Sequence, residues 1–287
     1  MRNNRSQRAK VAEDTLRILK KGYYTNHAGE FVTIASLLAH AKESSRLYRP
    51  EDFHQMAALR DETDQQRCVH TMFEVTNETT LHAAHRLVND KLGDRVLCLN
   101  FASARNPGGG FLKGSQAQEE SLARASGLYP CIAQMTEYYE TNRRQRSGFY
   151  MDYMIYSPDV PIFRDDDATL LERPYIAGIL TAPAVNRGAV TRNEPHRLSQ
   201  IKEVMSQRIE KILFVCAHHH HTTLVLGAWG CGAFRNSPED IAALFAYHLL
   251  ENKLFKQQFK KIVFAVLDNT KELRIIRPFE DAFLSDA

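Results

Sequence analysis

The stretch from Asn100 to Arg124, NFASARNPGGGFLKGSQAQEESLAR, holds the residues best suited to chemistry. Three consecutive glycines, Gly108, Gly109 and Gly110, put no Cβ between the backbone and a ligand, and amides exposed in this way form an anion-binding concavity. After seven intervening residues Gln118 leads into two adjacent acids, Glu119 and Glu120, at the start of an expected helix. Neighbouring helical residues point about 100° apart, so the pair does not face itself over one shared proton. One acid can hold a hydroxyl while the other does chemistry. Taken singly, a glycine triplet is a flexible turn, and acids at a helix start gain only ~0.3–1 kcal/mol from the helix dipole. Their conjunction points to a site. The triphosphatase pattern fails, because Ser115 and Gln116 follow Gly114 where Lys and Ser/Thr belong, and no G-x-G-x-x-G opens a helix.

A second glycine loop runs Gly227-Ala228-Trp229-Gly230-Cys231-Gly232-Ala233-Phe234, between a short strand at 223–226 and a helix that Ser237-Pro238-Glu239-Asp240 announces. Its amides, with the dipole of that helix, suit a diphosphate. Trp229 reads as core packing ahead of ligand stacking. Cys231 between two glycines invites a nucleophile hypothesis, but no base stands at a telling spacing and an activated thiolate needs electropositive surroundings. The run His218–His221 suggests a metal less than it suggests a helix C-terminus that favours positive charge. Thr181–Asn186 leaves a strand as either a cleft wall or a plain turn.

These loops need a scaffold, and the chain has material for one. Its 287 residues are 44% hydrophobic and 25% charged, with net charge +3, ordinary for a globular protein. The lone basic cluster, Arg143-Arg144-Gln145-Arg146, does not make the dense positive face that duplex nucleic acid requires. Five scattered cysteines (68, 98, 131, 216, 231) form no CxxC pair, which fits a reducing cytoplasmic setting and neither disulfides nor structural zinc. No apolar run approaches the ~20 residues of a membrane span. Helices are expected over 8–21, ending near Gly22, over 77–92 with Thr79 or Thr80 as cap, from about 116, over 194–217 and over 237–250. Strands are expected at 69–76, 95–100, 151–156, 175–181, 223–226 and 262–267. Residues 31–40 fit either class, and 46–66 read as a surface connector. Alternation of strands with helices predicts an α/β sandwich whose ligand sits at the strand ends.

The spacing from Gly108-Gly109-Gly110 to Gln118-Glu119-Glu120 resembles the signature of the poly(ADP-ribose) glycohydrolases, above all their microbial branch. Thr15-Leu16 with Gly22-Tyr23, Val75–Thr80 and Leu226–Asn236 resemble the same family, so the likeness spans nearly the whole chain. The resemblance implies a three-layer α/β/α macrodomain-like fold with a mixed central sheet. Residues 1–66 would form a mainly helical extension, and 67–287 the catalytic domain. It implies hydrolysis of the ribose–ribose bond of poly(ADP-ribose) from the chain terminus, with no metal or cofactor, and poly(ADP-ribose) and ADP-ribosylated proteins as partners of a monomer. Glu120 would be the general acid/base and Glu119 would hold ribose hydroxyls. The triplet loop with Gln118 would wrap the diphosphate and ribose, and Gly230, Cys231, Gly232, Ala233, Phe234 and Asn236 would complete the pocket. Where related macrodomains carry a ribose-contacting Asn, this chain offers Ser103 or Asn106. The chemistry is coherent: ribosyl cleavage passes through an oxocarbenium-like state and the leaving oxygen needs a proton. A glutamate that donates at neutral pH needs dry surroundings or negative charge, which a bound diphosphate supplies. Two other readings stay open, a non-catalytic ADP-ribose reader and an enzyme that removes single ADP-ribose groups. On the family reading the basic cluster can also attract the anionic polymer.

Overall fold

The computed structural model describes residues 4–57, 70–89 and 95–284. Expectations at Val69, Cys68, the far end of the 46–66 connector and the Gly93-Asp94 break lie outside the described residues.

Among the described residues nine strands form: β1 (Tyr23–Thr25), β2 (Phe31–Thr33), β3 (Arg46–Tyr48), β4 (Met72–Thr76), β5 (Val96–Phe101), β6 (Met154–Arg164), β7 (Leu170–Ala182), β8 (Thr223–Leu226) and β9 (Lys261–Ala265). The first two make a small hairpin, and the other seven make one sheet in the order β3-β6-β7-β5-β8-β9-β4. From β4 across to β7 the strands run parallel, while β6 and β3 are antiparallel. The central strand shows why these residues form this sheet. In β5, Leu97 and Leu99 face one apolar cluster and Val96 and Cys98 the other, since side chains alternate with period two. A strand buried on both faces must be apolar throughout.

Helices cover both faces. On one side lie α1 (Arg5–Lys21), α2 (Ala35–Glu43), α3 (Thr80–Asn89), α4 (Gln118–Ala125), α5 (Leu128–Ala133) and α6 (Thr136–Arg144). After the short α7 (Arg187–Asn193), the other face is covered by α8 (Ile201–His218), α9 (Pro238–Ala246) and α10 (Arg277–Phe283). The result is a three-layer α/β/α sandwich on a mixed sheet.

Several elements differ from the sequence expectations. Residues 31–40 hold both classes, β2 then α2. The supposed connector supplies β3, which pairs with β6 through Leu47↔Ile155, so the segment ahead of residue 67 contributes a sheet strand as well as helices. The strand expected to stop at Tyr156 runs on through Pro158 and Pro161 to Arg164, because a register shift between Ser157 and Val160 accommodates the missing N–H. The helix expected from Glu194 starts at Ile201, behind a 3-10 turn over Pro195–Gln200.

Candidate active site

Strand β5 delivers the chain to the carboxyl end of the sheet, and α4 begins the return. Gln118 fastens the two together. Its Oε1 accepts from Phe101 N at 2.9 Å, and its Nε2 donates to Leu99 O at 2.7 Å and Thr80 Oγ1 at 3.1 Å. The amide is consumed in positioning, and what Gln118 can offer a ligand is the wall it forms. Fixed in this way, the first turn of α4 presents its acids in two different settings.

Glu119 points inward and is 3% exposed. Its Oε2 accepts from Ser103 N at 2.7 Å, and Asn100 Nδ2 lies 3.5 Å from its Oε1. Burial pushes the Glu119 carboxyl up to about 8, the charge of Glu120 adding to the effect and the Ser103 amide opposing it. At neutral pH this side chain is an acid able to donate a hydrogen bond. Glu120 is half-buried, and its Oε1 accepts from Gly110 N at 2.9 Å. Among the described residues its Oε2 has no hydrogen bond and stays open.

The glycine triplet serves these acids directly. A Cβ on Gly109 would lie 2.5 Å from Glu120 Oε1 and 3.2 Å from Glu119 Oε2. Gly108 and Gly109 also hold φ of 68° and 57°, left-handed values that side chains resist. The triplet is therefore needed to seat the two carboxylates, a closer constraint than ligand access alone. The loop is held from outside as well. Arg5 Nε donates to Lys113 O and Arg8 Nε to Gly114 O, at 2.9 and 2.8 Å, and Thr15 Oγ1 donates to Arg124 O at 2.6 Å. Helix α1 thus braces the loop.

The second glycine loop lines a cavity of about 510 Å³, which the triplet, Glu119 and Glu120 do not themselves line, although Gln118 and Ser121 on either side of the two acids do. Gln118, Gly230, Cys231, Gly232, Ala233 and Phe234 line it, together with Glu78, Thr79, Thr80, Phe101 and Asp166. Gly232 stands clear, with nothing within 4 Å of an added Cβ, so its backbone is open to a ligand. Gly230, at φ 78°, is packed under Asn236, whose Nδ2 donates to Val185 O at 2.8 Å and Gly230 O at 3.2 Å. Asn236 is a buried latch for the loop and does not line the cavity. Ser103 and Asn106 belong to the first loop: Ser103 Oγ accepts from Asn106 N at 3.1 Å, and Asn106 is exposed. Neither lines the cavity, and Ser103 reaches the site through its amide on Glu119.

Other sequence readings resolve on packing. Trp229 is fully buried, with Nε1 donating to Ala182 O at 3.1 Å. Burial pushes the Cys231 thiol up to about 12, which removes the nucleophile reading. Two of the four histidines in the run, His219 and His221, are taken up in packing. His219 stacks on Tyr156 with ring centroids 3.7 Å apart, and Tyr156 Oη lies 2.8 Å from His221 Nε2. Burial pushes these rings down to about 3 and about 4 respectively, so both are neutral packing elements. Among the described residues no group of three or more His, Cys, Asp or Glu is arranged to hold a metal.

Sequence reasoning did not single out Asp166 and gave Thr79 and Thr80 only a capping role. Thr79 does cap, accepting from His82 N at 3.1 Å, and it also donates to Asp166 Oδ2 at 2.6 Å on the cavity wall. Asp166 sits in the turn between β6 and β7, and nothing in its sequence context foretells that it folds back onto α3.

The family profile described as microbial-type PARG, catalytic domain, matches residues 12–165. Among solved structures, the poly(ADP-ribose) glycohydrolase of Thermomonospora curvata bound to the inhibitor ADP-HPD is 45% identical. The match covers 97% of this chain and 100% of that one, with a TM-score of 0.89. The Deinococcus radiodurans poly(ADP-ribose) glycohydrolase in complex with ADP-ribose is 44% identical over 87% of this chain and 98% of that one, with a TM-score of 0.80. No curated protein matches the chain.

Proposed function

The chain belongs to the microbial-type poly(ADP-ribose) glycohydrolases, and on that footing we propose how its own residues cut the ribose–ribose bond of poly(ADP-ribose). Glu120 is the general acid and base. The observation that carries this assignment is its geometry: one oxygen is fixed by Gly110 N at 2.9 Å, and the other has no partner among the described residues, on a helical turn whose Gln118 and Ser121 line the cavity. It protonates the departing ribose oxygen as the oxocarbenium-like state develops, then takes a proton from the water that attacks the anomeric carbon. Glu119, kept protonated by burial, donates to a ribose hydroxyl and fixes the sugar relative to Glu120. The amides of Gly230, Gly232 and Ala233, with the helix dipole of α9 behind them and that of Cys231 spent on Ala228 O, receive the diphosphate, and Phe234 packs on the ribose. The triplet Gly108–Gly110 sets the carboxylates and closes the ribose end, with Ser103 holding Glu119. ADP-ribosylated proteins would bring the polymer to the site.

The test is release of ADP-ribose from labelled polymer by the parent and by Glu120→Gln. Loss of a general acid of this kind costs about 10²–10⁴-fold, while ADP-ribose binding should persist. Free ADP-ribose as sole product supports cutting from the terminus, and oligomers would mean internal cutting. Undiminished release by the variant overturns the assignment.

A further inference from the structure

The cavity opens at Phe234 onto a surface that the cleavage chemistry does not use. The Tyr150 ring lies 5.9 Å from that of Phe234, and the guanidinium of Arg105 sits 5.7 Å from the Tyr150 centroid. Arg143 Nε donates to Arg105 O at 2.8 Å, and an Arg105 terminal nitrogen donates to Gln145 O at 3.4 Å. Thus α6 and its end are stitched to the loop that carries Ser103, whose amide holds Glu119. Arg105, Arg143 and Arg146 are exposed, and among the described residues none of the three pairs with a carboxylate. Several other arginines are answered, as in Arg49–Glu137, Arg86–Glu74, Arg144–Glu140, Arg197–Glu194 and Arg208–Asp152. The backbone here is also unusual. Tyr150 and Arg235 hold φ of 55° and 60°, left-handed values that non-glycine side chains keep only where their surroundings enforce them.

We propose that Tyr150, Arg105, Arg143 and Arg146, which adjoin the cavity at Phe234, form a polymer ledge that binds the ADP-ribose unit next to the one being cleaved. The proposal rests on the glycohydrolase reading and extends it to a second subsite. Its chemistry is that of single-stranded nucleic-acid grooves, where bases stack on aromatic faces and arginines follow the phosphates. The half-buried face of Tyr150 takes the adenine. The Arg143 and Arg146 guanidiniums take the diphosphate, which a planar fork grips in two-point fashion. Arg105 lies between, its guanidinium near the Tyr150 ring and its main chain in the loop that fixes Glu119. A unit seated on the ledge therefore bears on the segment that aligns the carboxylates.

The experiment uses the full chain carrying Glu120→Gln, so that bound polymer stays intact. Affinity for poly(ADP-ribose) of defined length is measured beside affinity for free ADP-ribose, with and without Arg143→Glu/Arg146→Glu. On the ledge reading, polymer affinity falls by about tenfold or more and ADP-ribose affinity is unchanged. The salt dependence of polymer binding should shallow by about 0.7 in log–log slope for each phosphate that is no longer neutralised. Arg143→Lys/Arg146→Lys should recover part of the affinity, the charge without the two-point grip, which a folding defect would not allow. Equal polymer affinity in the charge-reversed and unreversed proteins overturns the ledge and leaves the cleavage reading intact. Failure of the parent chain to release ADP-ribose overturns the cleavage reading, and the ledge with it.

Discussion

Gly109→Ala tests whether the glycine triplet seats the carboxylates. A Cβ there would stand 2.5 Å from Glu120 Oε1 and 2.9 Å from its Cδ. To reach an ordinary 3.4 Å contact the carboxylate must withdraw by about 0.9 Å, against the 2.9 Å bond from Gly110 N. Displacement of a catalytic group by about 1 Å costs roughly 100-fold in rate. The φ of 57° adds about 1–2 kcal/mol of left-handed strain, a melting shift of roughly 2–4 °C for each kcal/mol in a chain of this size. The assay is steady-state release of ADP-ribose, with kcat and KM separated, beside thermal melting. Expected are a loss of about 100-fold in kcat, a smaller change in KM, and a modest fall in melting temperature. Gly29→Ala is the control: φ is 80° and nothing lies within 4 Å of the added Cβ, so it should carry the strain and keep its rate. If Gly109→Ala retains kcat within about threefold, the triplet does not position Glu120 and the reasoning fails.

Three further outcomes follow from burial. Glu119 is raised from 4.5 to about 8, so the folded chain holds a proton that the unfolded chain has released. Stability contributed by that proton is present below pH 4.5 and lost as pH climbs towards 8, by at most about 5 kcal/mol; melting curves of Glu119→Gln should gain on the parent across that window, and parallel curves would count against a buried acid. His219 and His221 are depressed from 6.5 to about 3 and about 4. There the unfolded chain binds the extra protons, so stability should drain away as pH falls from 6.5 towards 4, and His221→Gln should flatten that slope. Asn236→Ala removes the side-chain donor from Val185 O and Gly230 O, which keep the backbone N–H groups of Arg187 and Asn236, and should cost about 1–2 kcal/mol in denaturant unfolding, a loss under about 0.5 kcal/mol showing that the latch is idle.

Where local physics decides an element, the residues announced it. Gly22 ends α1 in a left-handed cap with its N–H on Ile18 O, and Ser237 caps α9 by accepting from Asp240 N with Pro238 in the first turn. The apolar run of β5 declared a strand covered on both faces. Distant partners were not legible. Arg46-Leu47-Tyr48 has no pattern of its own and becomes a strand because β6 offers it a ladder. The strand expected at 151–156 runs on to Arg164, and a register shift carries it past Pro158. At the site, Gln118-Glu119-Glu120 was visible as a motif, but not that Gln118 would spend its amide on β5 or that Glu119 would be the buried acid. Both depend on where α4 lands relative to β5. In the His218–His221 run, His219 and His221 misled for the same reason, since charge at a helix end matters only if water reaches it.

The bracing of the first glycine loop by α1 has a consequence for biosynthesis. Arg5 and its acceptor Lys113 are 108 residues apart, and β3 must also wait about as long for β6. At about 5–20 residues per second, the leading helix leaves the ribosome roughly 5–20 seconds before the segment it grips exists. Throughout that interval only its Ile18 end has native partners at hand, in Tyr24 and Ile34, while the Ala12 end waits for Phe111 and Ala123. The catalytic loop thus gains its brace only when the two ends of that wait meet.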